Sequence, residues 1–203
     1  MRGVQTMKKV LTVAMLLMLS VAMYAQNDVT KFLGIPVDGS KADMIQKLKA
    51  KGFTYDSEND CLLGEFNDHN VWISIVTTKN KVWRIVVLDA VSRDEGDIKI
   101  EFNKLCSQFK NNKKYIPLSD DFTIPDDENI FHEMLVNNKR YEADYCQVPA
   151  GTDINALTKE KLNERCLHNA VWFRIGKDKN EHRKYRIGIY YDNKHNLSNG
   201  DDL

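Results

Sequence analysis

Five runs of residues carry the alternating apolar and polar pattern of β-strands, and this pattern constrains the fold of the chain more than any other feature. The runs are Leu62–Phe66, Val71–Thr77, Val82–Leu88, Val171–Ile175 and Tyr185–Tyr191. Lys79-Asn80 separates the second run from the third, and asparagine tolerates the positive φ of a tight hairpin turn. Because connections this short join antiparallel neighbours, we expect an antiparallel sheet.

The hairpin formed by the second and third runs recurs near the end of the chain. Val71-Trp72-Ile73-Ser74-Ile75 is similar to Val171-Trp172-Phe173-Arg174-Ile175, one hundred positions later. Trp83-Arg84-Ile85-Val86-Val87 is similar to Tyr185-Arg186-Ile187-Gly188-Ile189 after a slip of two residues. Two readings stay open: two related helix-plus-meander units, or a chance likeness between amphipathic hairpins.

Helix signals stand before and between these strands. Ser40 followed by Asp43 is close to a capping box and predicts a helix over about residues 41–51, which Gly52 ends. Ser92-Arg93-Asp94-Glu95 is a second such box and opens a longer helix with apolar residues at helical spacing. Thr158–Cys166 predicts a short third helix.

The middle of the chain is harder to interpret. Residues 115–129 hold two prolines and five acidic residues and are predicted to form a loop. Ile130–Val136 suits either a short helix or a strand, and we predict a hairpin with Tyr141–Cys146 around Asn137-Asn138. The whole pattern predicts an α+β fold, an antiparallel sheet with helices on one face. Residues 26–203 would form this single domain, or tandem halves 26–92 and 93–203.

The N-terminus has the three parts of a secretory signal peptide. Arg2, Lys8 and Lys9 precede the apolar segment Val10–Tyr24, and Ala25 is a small residue suited to cleavage. The alternative is a membrane anchor, but the apolar run is shorter than the roughly 20 residues that span a bilayer. We therefore predict cleavage after residue 25 and a soluble protein, periplasmic or secreted, without a membrane anchor.

The charge balance argues against two classes of partner. The chain has 29 basic and 29 acidic side chains. Removal of the signal segment takes away three basic residues and leaves a slight acidic excess. Nucleic-acid binding favours a basic face, and anionic lipid attracts polybasic segments, so neither partner is predicted.

Four cysteines and several polar clusters are candidate sites for disulfides or metals. Cys61, Cys106, Cys146 and Cys166 allow three disulfide pairings, and the alternative is four buried thiols. Asp56-Ser57-Glu58-Asn59-Asp60 starts like a calcium loop, but Cys61 stands where glycine is needed. Cys166 and His168 do not have the spacing of a zinc site. We predict no metal and no cofactor.

The sequence also lacks the common motifs of enzyme active sites. The chain has no nucleophile elbow, phosphate loop or dinucleotide fingerprint. Asp68 and His69 are neighbours, but adjacent residues point in different directions and adjacency alone makes no catalytic pair. We expect a non-catalytic binding module. The alternatives are a cell-envelope hydrolase with a dispersed site and a purely structural envelope protein.

Three segments of the chain are distinctive: Phe32-Leu33-Gly34-Ile35-Pro36-Val37-Asp38-Gly39-Ser40, Asn138-Lys139-Arg140-Tyr141-Glu142-Ala143 and the ending Tyr191-Asp192-Asn193…Gly200-Asp201-Asp202-Leu203. Together they resemble a group of small exported proteins from gut anaerobes. This resemblance implies export and brings no active site. The helix-then-meander unit is similar in architecture alone to the tandem fold of beta-lactamase inhibitor protein and to the small lipoprotein of outer-membrane assembly. The chain lacks that lipoprotein's attachment cysteine.

One face of the expected sheet is the candidate binding site. Alternation turns Val71, Ile73 and Ile75 toward the helices and sets other side chains on the opposite face. That face is predicted to present Trp72, Arg84, Trp172, Arg174, Arg186 and Tyr190. Aromatic residues and arginine are enriched at protein-binding hot spots, and aromatic rings also stack on sugars, so a protein or a glycan is the expected ligand. The alternative is a stabilising layer in which each tryptophan is covered by an arginine.

Overall fold

The computed structural model describes residues 29–149, 151–153 and 156–197, apart from the side chain of Leu167. The expected signal segment and the ending Gly200–Leu203 lie outside these residues. No helix in the described part of the chain combines the length and apolarity needed to cross a membrane.

An eight-stranded antiparallel sheet forms the centre of the fold, in the strand order β3-β4-β5-β6-β10-β9-β8-β7. Two further strands, β1 and β2, pair in a separate small sheet. The bounds are β1 Lys31–Phe32, β2 Ile35–Pro36, β3 Thr54–Asp56, β4 Cys61–Phe66, β5 His69–Thr78, β6 Lys81–Asp89, β7 Tyr115–Pro117, β8 Glu142–Gln147, β9 Ala170–Lys177 and β10 Tyr185–Asp192. All five strand-like runs of the sequence are therefore strands.

Within the described residues, four α-helices and a short 3-10 helix accompany the sheet. They are α1 (Lys41–Lys49), α2 (Glu95–Asn111), α3 (Ile130–Val136), α4 (Lys159–His168) and the 3-10 helix Lys194–Asn196. Helix α1 packs on β3, β5 and β6, and α2 packs on β7, β9 and β10. Between this layer and the sheet lies the main apolar core, with Phe102 of α2 against Phe173 of β9 at a ring-centre distance of 5.0 Å. The predicted α+β class is confirmed.

Local signals explain where the helices begin. The Ser40 hydroxyl accepts a hydrogen bond from the backbone N–H of Asp43, as an N-cap does, and donates one to the Asp43 carboxylate. Helix α2 begins later than the predicted box at Ser92, because Asp94 is its N-cap and accepts from the N–H of Asp97. Ser92 instead donates to Glu181.

The predicted hairpin over residues 130–146 is wrong. Ile130–Val136 is α3, since the Asn129 side chain accepts from the N–H of His132 and caps it. Asn138 has a φ of 50° and ends this helix instead of turning a hairpin. Strand β8 pairs with β7 and β9. The predicted loop over residues 115–129 also begins with a strand, β7.

The register of the two matching hairpins is the same at the matched positions. Ile75 pairs with Ile85 in the first, and Ile175 pairs with Ile187 in the second. At the centre of the sheet β6 pairs with β10, so Leu88 lies opposite Gly188 and Val86 opposite Tyr190. In the match between the two hairpins Leu88 corresponds to Tyr190 and Val86 to Gly188, so each of these two pairs is the counterpart of the other. The arrangement fits an approximate two-fold axis between β6 and β10, and the repeat itself stays a prediction.

Helix α4 is the one described α-helix that packs on the opposite side of the sheet from α1 and α2. Cys146 of β8 pairs with Ala170, which shares a face with Trp172. In a small apolar cluster Leu162 and Cys166 of α4 pack against Ile116 and Cys146. This contact covers the β7–β8 edge and leaves the central strands uncovered on that side.

Candidate binding site on the open face of the sheet

The six residues predicted for the binding face lie on the sheet side opposite α1 and α2. This surface, here named the open face, carries Trp72 on β5, Arg84 on β6, Trp172 and Arg174 on β9, and Arg186 and Tyr190 on β10. The alternation that turns Val71, Ile73 and Phe173 into the core turns these side chains outward. Trp72 is 37% exposed, and the other five are partly buried.

Trp72 and Trp172 are each contacted by an arginine of the other hairpin. The guanidinium carbon of Arg186, on β10, lies 5.0 Å from the ring centre of Trp72 on β5. The guanidinium carbon of Arg84, on β6, lies 5.4 Å from the ring centre of Trp172 on β9. Both contacts are within cation–π range. They exist because β6 and β10 are neighbours, which brings the two hairpins side by side.

A stacked pair of rings occupies the second half of the open face. The rings of Trp172 and Tyr190 are 4.0 Å apart at their centres and 10° from parallel. Arg84 and Arg174 lie beside this stack, 5.3 and 5.6 Å from the centre of the Tyr190 ring. Arg84 also lies 4.3 Å from the ring centre of Trp83. One face of each stacked ring is therefore occupied by the other ring.

Buried carboxylates hold two of the three arginines in place. Asp192 accepts hydrogen bonds from Nε and Nη2 of Arg84 at 2.6 and 2.7 Å, and from the indole N–H of Trp172 at 3.1 Å. Asp178 accepts from Nε of Arg186 at 2.5 Å. The pKa of Asp178 is lowered, first by the backbone N–H of Asn180 and then by Arg186.

Arg174 differs from the other two arginines. It makes cation–π contacts with Trp172 and Tyr190, but no ion pair is found for it within the described residues. Arg84 and Arg186, in contrast, are neutralised by Asp192 and Asp178. Among the described residues, Arg174 is therefore the arginine of the open face without a carboxylate partner, and its cross-strand neighbour Glu142 pairs with Arg140 instead.

Two depressions flank the ring stack. The first, of about 400 Å³, is lined by Trp72, Arg174, Arg186, Lys177, Lys179 and Asp178 among others, so its charged lining is mainly basic. The second, of about 620 Å³, lies between the sheet and α4, and its acidic and basic lining residues balance. The first depression is the part of the open face that suits an anionic group.

Sequence reasoning missed the residues that organise these arginines. Asp192 ends β10 and shares a face with Tyr190, so extending the predicted strand by one residue would have placed it there. Asp178 lies in the connection between β9 and β10, where no periodic pattern marks it. Lys177 and Lys179 had no signal beyond their charge.

His69 contacts two charged side chains, Glu101 and Arg93. Its Nε2 lies 3.2 Å from Glu101, and its Nδ1 lies 3.2 Å from a guanidinium nitrogen of Arg93. Both ring nitrogens are thus engaged, Nδ1 as the acceptor and Nε2 as the donor. Asp68 lies in a turn with a φ of 65° and makes no pair with His69. The described residues contain no group of three potential metal ligands.

The Asp56 segment is a turn between strands, held by its own side chain. Asp56 accepts hydrogen bonds from the backbone N–H groups of Glu58 and Asn59 and from the Asn59 amide. Its carboxylate oxygens therefore serve local turn geometry.

A third cavity, also about 620 Å³, lies at the other end of the sheet. Its charged lining residues are Lys31, Lys114 and Arg165, and Asn169 lines it as well. None of the residues predicted for binding lies there.

Comparison of the chain with models of protein families, with curated proteins and with solved structures finds no match.

Proposed function

We propose that this chain is an exported, non-catalytic binding protein whose open face binds an acidic surface of a partner protein. The observation that carries the proposal is the first depression, where the 37% exposed Trp72 lies beside a basic rim and beside Arg174, which has no ion pair among the described residues. Aromatic rings and arginines of this kind dominate the free energy of protein interfaces.

The composition of the depression favours an acidic ligand. Arg174, Lys177, Lys179 and Arg186 line it together with a single acid, Asp178. Asp178 is already bound to Arg186, and its side chain is 4% exposed. Glu142, which lies opposite Arg174 on β8, is likewise paired, with Arg140. A partner carboxylate that enters the depression would therefore meet an excess of basic side chains, which also raises the rate of encounter.

The state of the rings favours a protein over a glycan. Stacking on a sugar needs an open ring face. Trp172 and Tyr190 cover one face of each other, and Arg84 and Arg174 lie 5.3–5.8 Å from the two ring centres. Arg186 lies against the ring of Trp72. The open face offers guanidinium groups and ring edges, which suit carboxylates and backbone groups of a protein surface.

Export is the second part of the proposal. It is supported by the signal-like segment of residues 1–25 and by the resemblance to small exported proteins. We expect the mature chain to begin at Gln26 and to reside in the periplasm or outside the cell. The intact mass of the protein recovered from the producing cell tests this, and a chain that keeps residues 10–24 would contradict it.

Binding is tested by immobilising the mature chain on a support, incubating it with an envelope extract and purifying the protein that it captures. We expect Trp72→Ala and Arg174→Ala each to weaken the affinity of the captured and purified partner at least tenfold, and added salt to weaken it further. Ile100→Ala is the matched control, since Ile100 is an exposed apolar residue on α2, away from the open face. Equal affinity of all three variants and the wild type, at unchanged melting temperature, would overturn the proposal.

The rival functions have less support. A hydrolase needs an available base, and His69, the histidine beside the polar cluster of Asp89, Arg93 and Glu101, has both nitrogens engaged. No particular observation favours a purely structural role.

A further inference from the structure

Two of the four cysteines meet where α4 packs on the sheet. Cys146 is fully buried on β8, and Cys166 is half-buried on α4. Both belong to the small apolar cluster that includes Ile116, Val148 and Leu162. Within this cluster Cys166 packs against the core residues Ile116, Cys146 and Val148, and helix α4 contacts strand β8. The two cysteines therefore lie in one packed cluster, and the structure contains both as free thiols.

The other two cysteines are separated from this pair. Cys61 begins β4, and five inter-strand steps separate β4 from β8 in the sheet order. At roughly 4.8 Å a step, that is about 24 Å, far beyond the roughly 7 Å between Cα atoms that a disulfide allows. Cys106 lies on α2 and hydrogen-bonds to Tyr145, which points to the opposite face of β8 from Cys146.

We propose that Cys146 and Cys166 form a disulfide that links β8 to α4 once the protein reaches an oxidising compartment. Of the three partners that the sequence left open for Cys146, Cys166 is the one that packs in the same cluster. The proposal rests on the proposed export, because disulfides form and persist in extracytoplasmic compartments and are rare in reducing ones.

The oxidant is a disulfide, either on a thiol oxidoreductase or as oxidised glutathione. The thiolate of Cys166 attacks one sulfur of the oxidant, which releases the other sulfur as a thiolate and leaves a mixed disulfide. Cys146 then loses its proton, attacks the sulfur of Cys166 and expels the second thiolate. The protein loses two electrons and two protons, and the oxidant is reduced to two thiols.

The surroundings of the pair set the order of these steps. Cys166 lines the depression between the sheet and α4, where an oxidant can reach it, whereas Cys146 is fully buried. The hydrogen bond from Cys146 lowers the pKa of Cys166, and the charge of Arg165 acts in the same direction. The same hydrogen bond and burial raise the pKa of Cys146. Cys166 is therefore the first nucleophile and Cys146 the resolving thiol.

The disulfide would fix the position of α4, which forms one side of the second depression. Asn163 and Cys166 of α4 line that depression together with Arg84 and Trp172 of the open face. Apart from the small cluster around Cys146, α4 has limited apolar support, since none of its described side chains is fully buried. A covalent link at Cys166 would thus fix α4 against β8.

The test uses the purified mature chain in a buffer of oxidised and reduced glutathione. After oxidation and unfolding we expect a thiol reagent to label two residues, Cys61 and Cys106. We expect the intact mass to fall by two hydrogen atoms and digestion to yield one peptide pair joining Cys146 to Cys166. The Cys61→Ser/Cys106→Ser double variant keeps the bridge and has no labelled thiol. The single variants Cys146→Ser and Cys166→Ser form no intramolecular bridge.

Four labelled thiols, a bridge that contains Cys61 or Cys106, or a stable glutathione adduct on Cys166 without a bridge would each overturn the proposal. A reducing agent should lower the melting temperature of the oxidised wild type and leave that of Cys146→Ser unchanged. This measurement involves neither export nor a partner, so its failure is distinguishable from failure of the proposed binding function.

Discussion

The ring of Tyr190 lies directly over the backbone of Gly188 on the open face. A Cβ atom at position 188 would be 3.1 Å from the Tyr190 hydroxyl oxygen and 3.3 Å from two of its ring carbons. The missing side chain thus makes room for the ring that stacks on Trp172. The geometry of the open face depends on a glycine as much as on its aromatic residues.

Gly188→Ala is therefore expected to disturb the ring stack. The added methyl group forces Tyr190 away from the strand and costs about 1–2 kcal/mol, as overpacking does. Near-ultraviolet circular dichroism and tryptophan fluorescence should change, since Trp172 loses its partner. Gly176→Ala is the control, because a Cβ there meets no atom closer than 4.0 Å. Unchanged spectra of Gly188→Ala would contradict the packing described.

Asp192→Asn is expected to lower the free energy of unfolding by on the order of 3 kcal/mol. Its carboxylate is 2% exposed and accepts from both Arg84 and Trp172, and an amide cannot keep all three bonds. Urea denaturation measures the loss. Asp60→Asn is the comparison, because Asp60 is 56% exposed and pairs with Lys41 at the surface. We expect it to change stability by less than about 1 kcal/mol, and equal effects of both changes would refute the assignment.

Gly64→Ala is expected to be strongly destabilising. A Cβ at position 64 would lie 2.5 Å from the buried ring of Phe53, so the ring must move within the core. We expect a loss of about 2–3 kcal/mol, measured as a lower melting temperature. Gly96→Ala in α2 is expected to raise the melting temperature instead. A Cβ at position 96 would lie 3.6 Å from its nearest neighbouring atom, and alanine favours a helix over glycine by about 1 kcal/mol.

Removal of the Tyr185 hydroxyl is expected to leave stability unchanged or raise it by up to about 1 kcal/mol. That hydroxyl is buried and has no hydrogen-bond partner among the described residues, so the folded state carries its desolvation cost. Tyr141→Phe should instead cost about 1.5 kcal/mol, because the Tyr141 hydroxyl donates to Glu128 at 2.5 Å. Thermal melts of Tyr185→Phe and Tyr141→Phe in parallel measure the two changes in stability. A larger loss of stability in Tyr185→Phe than in Tyr141→Phe would contradict this prediction.

Local patterns in the sequence determined the hairpins and the division of side chains between the two faces. Lys79 and Asn80 have φ values of 49° and 60°, the positive values that a two-residue turn needs. From such turns and the alternation of residues, the positions of Trp72 and Trp172 on one face followed without coordinates. Ser40 and Asp43 likewise located the start of α1. These features depend on residues close together in the chain.

The tertiary structure decided what depends on distant residues. The pairing of β6 with β10 sets Arg186 against Trp72, and no local pattern specifies it. Packing also selects Cys166 as the neighbour of Cys146. Ile130–Val136 had the composition for a strand or a helix, and the Asn129 cap with burial of Ile130 favoured the helix. Periodicity fixes which side a residue faces, whereas its partner on that side depends on the long-range order of the strands.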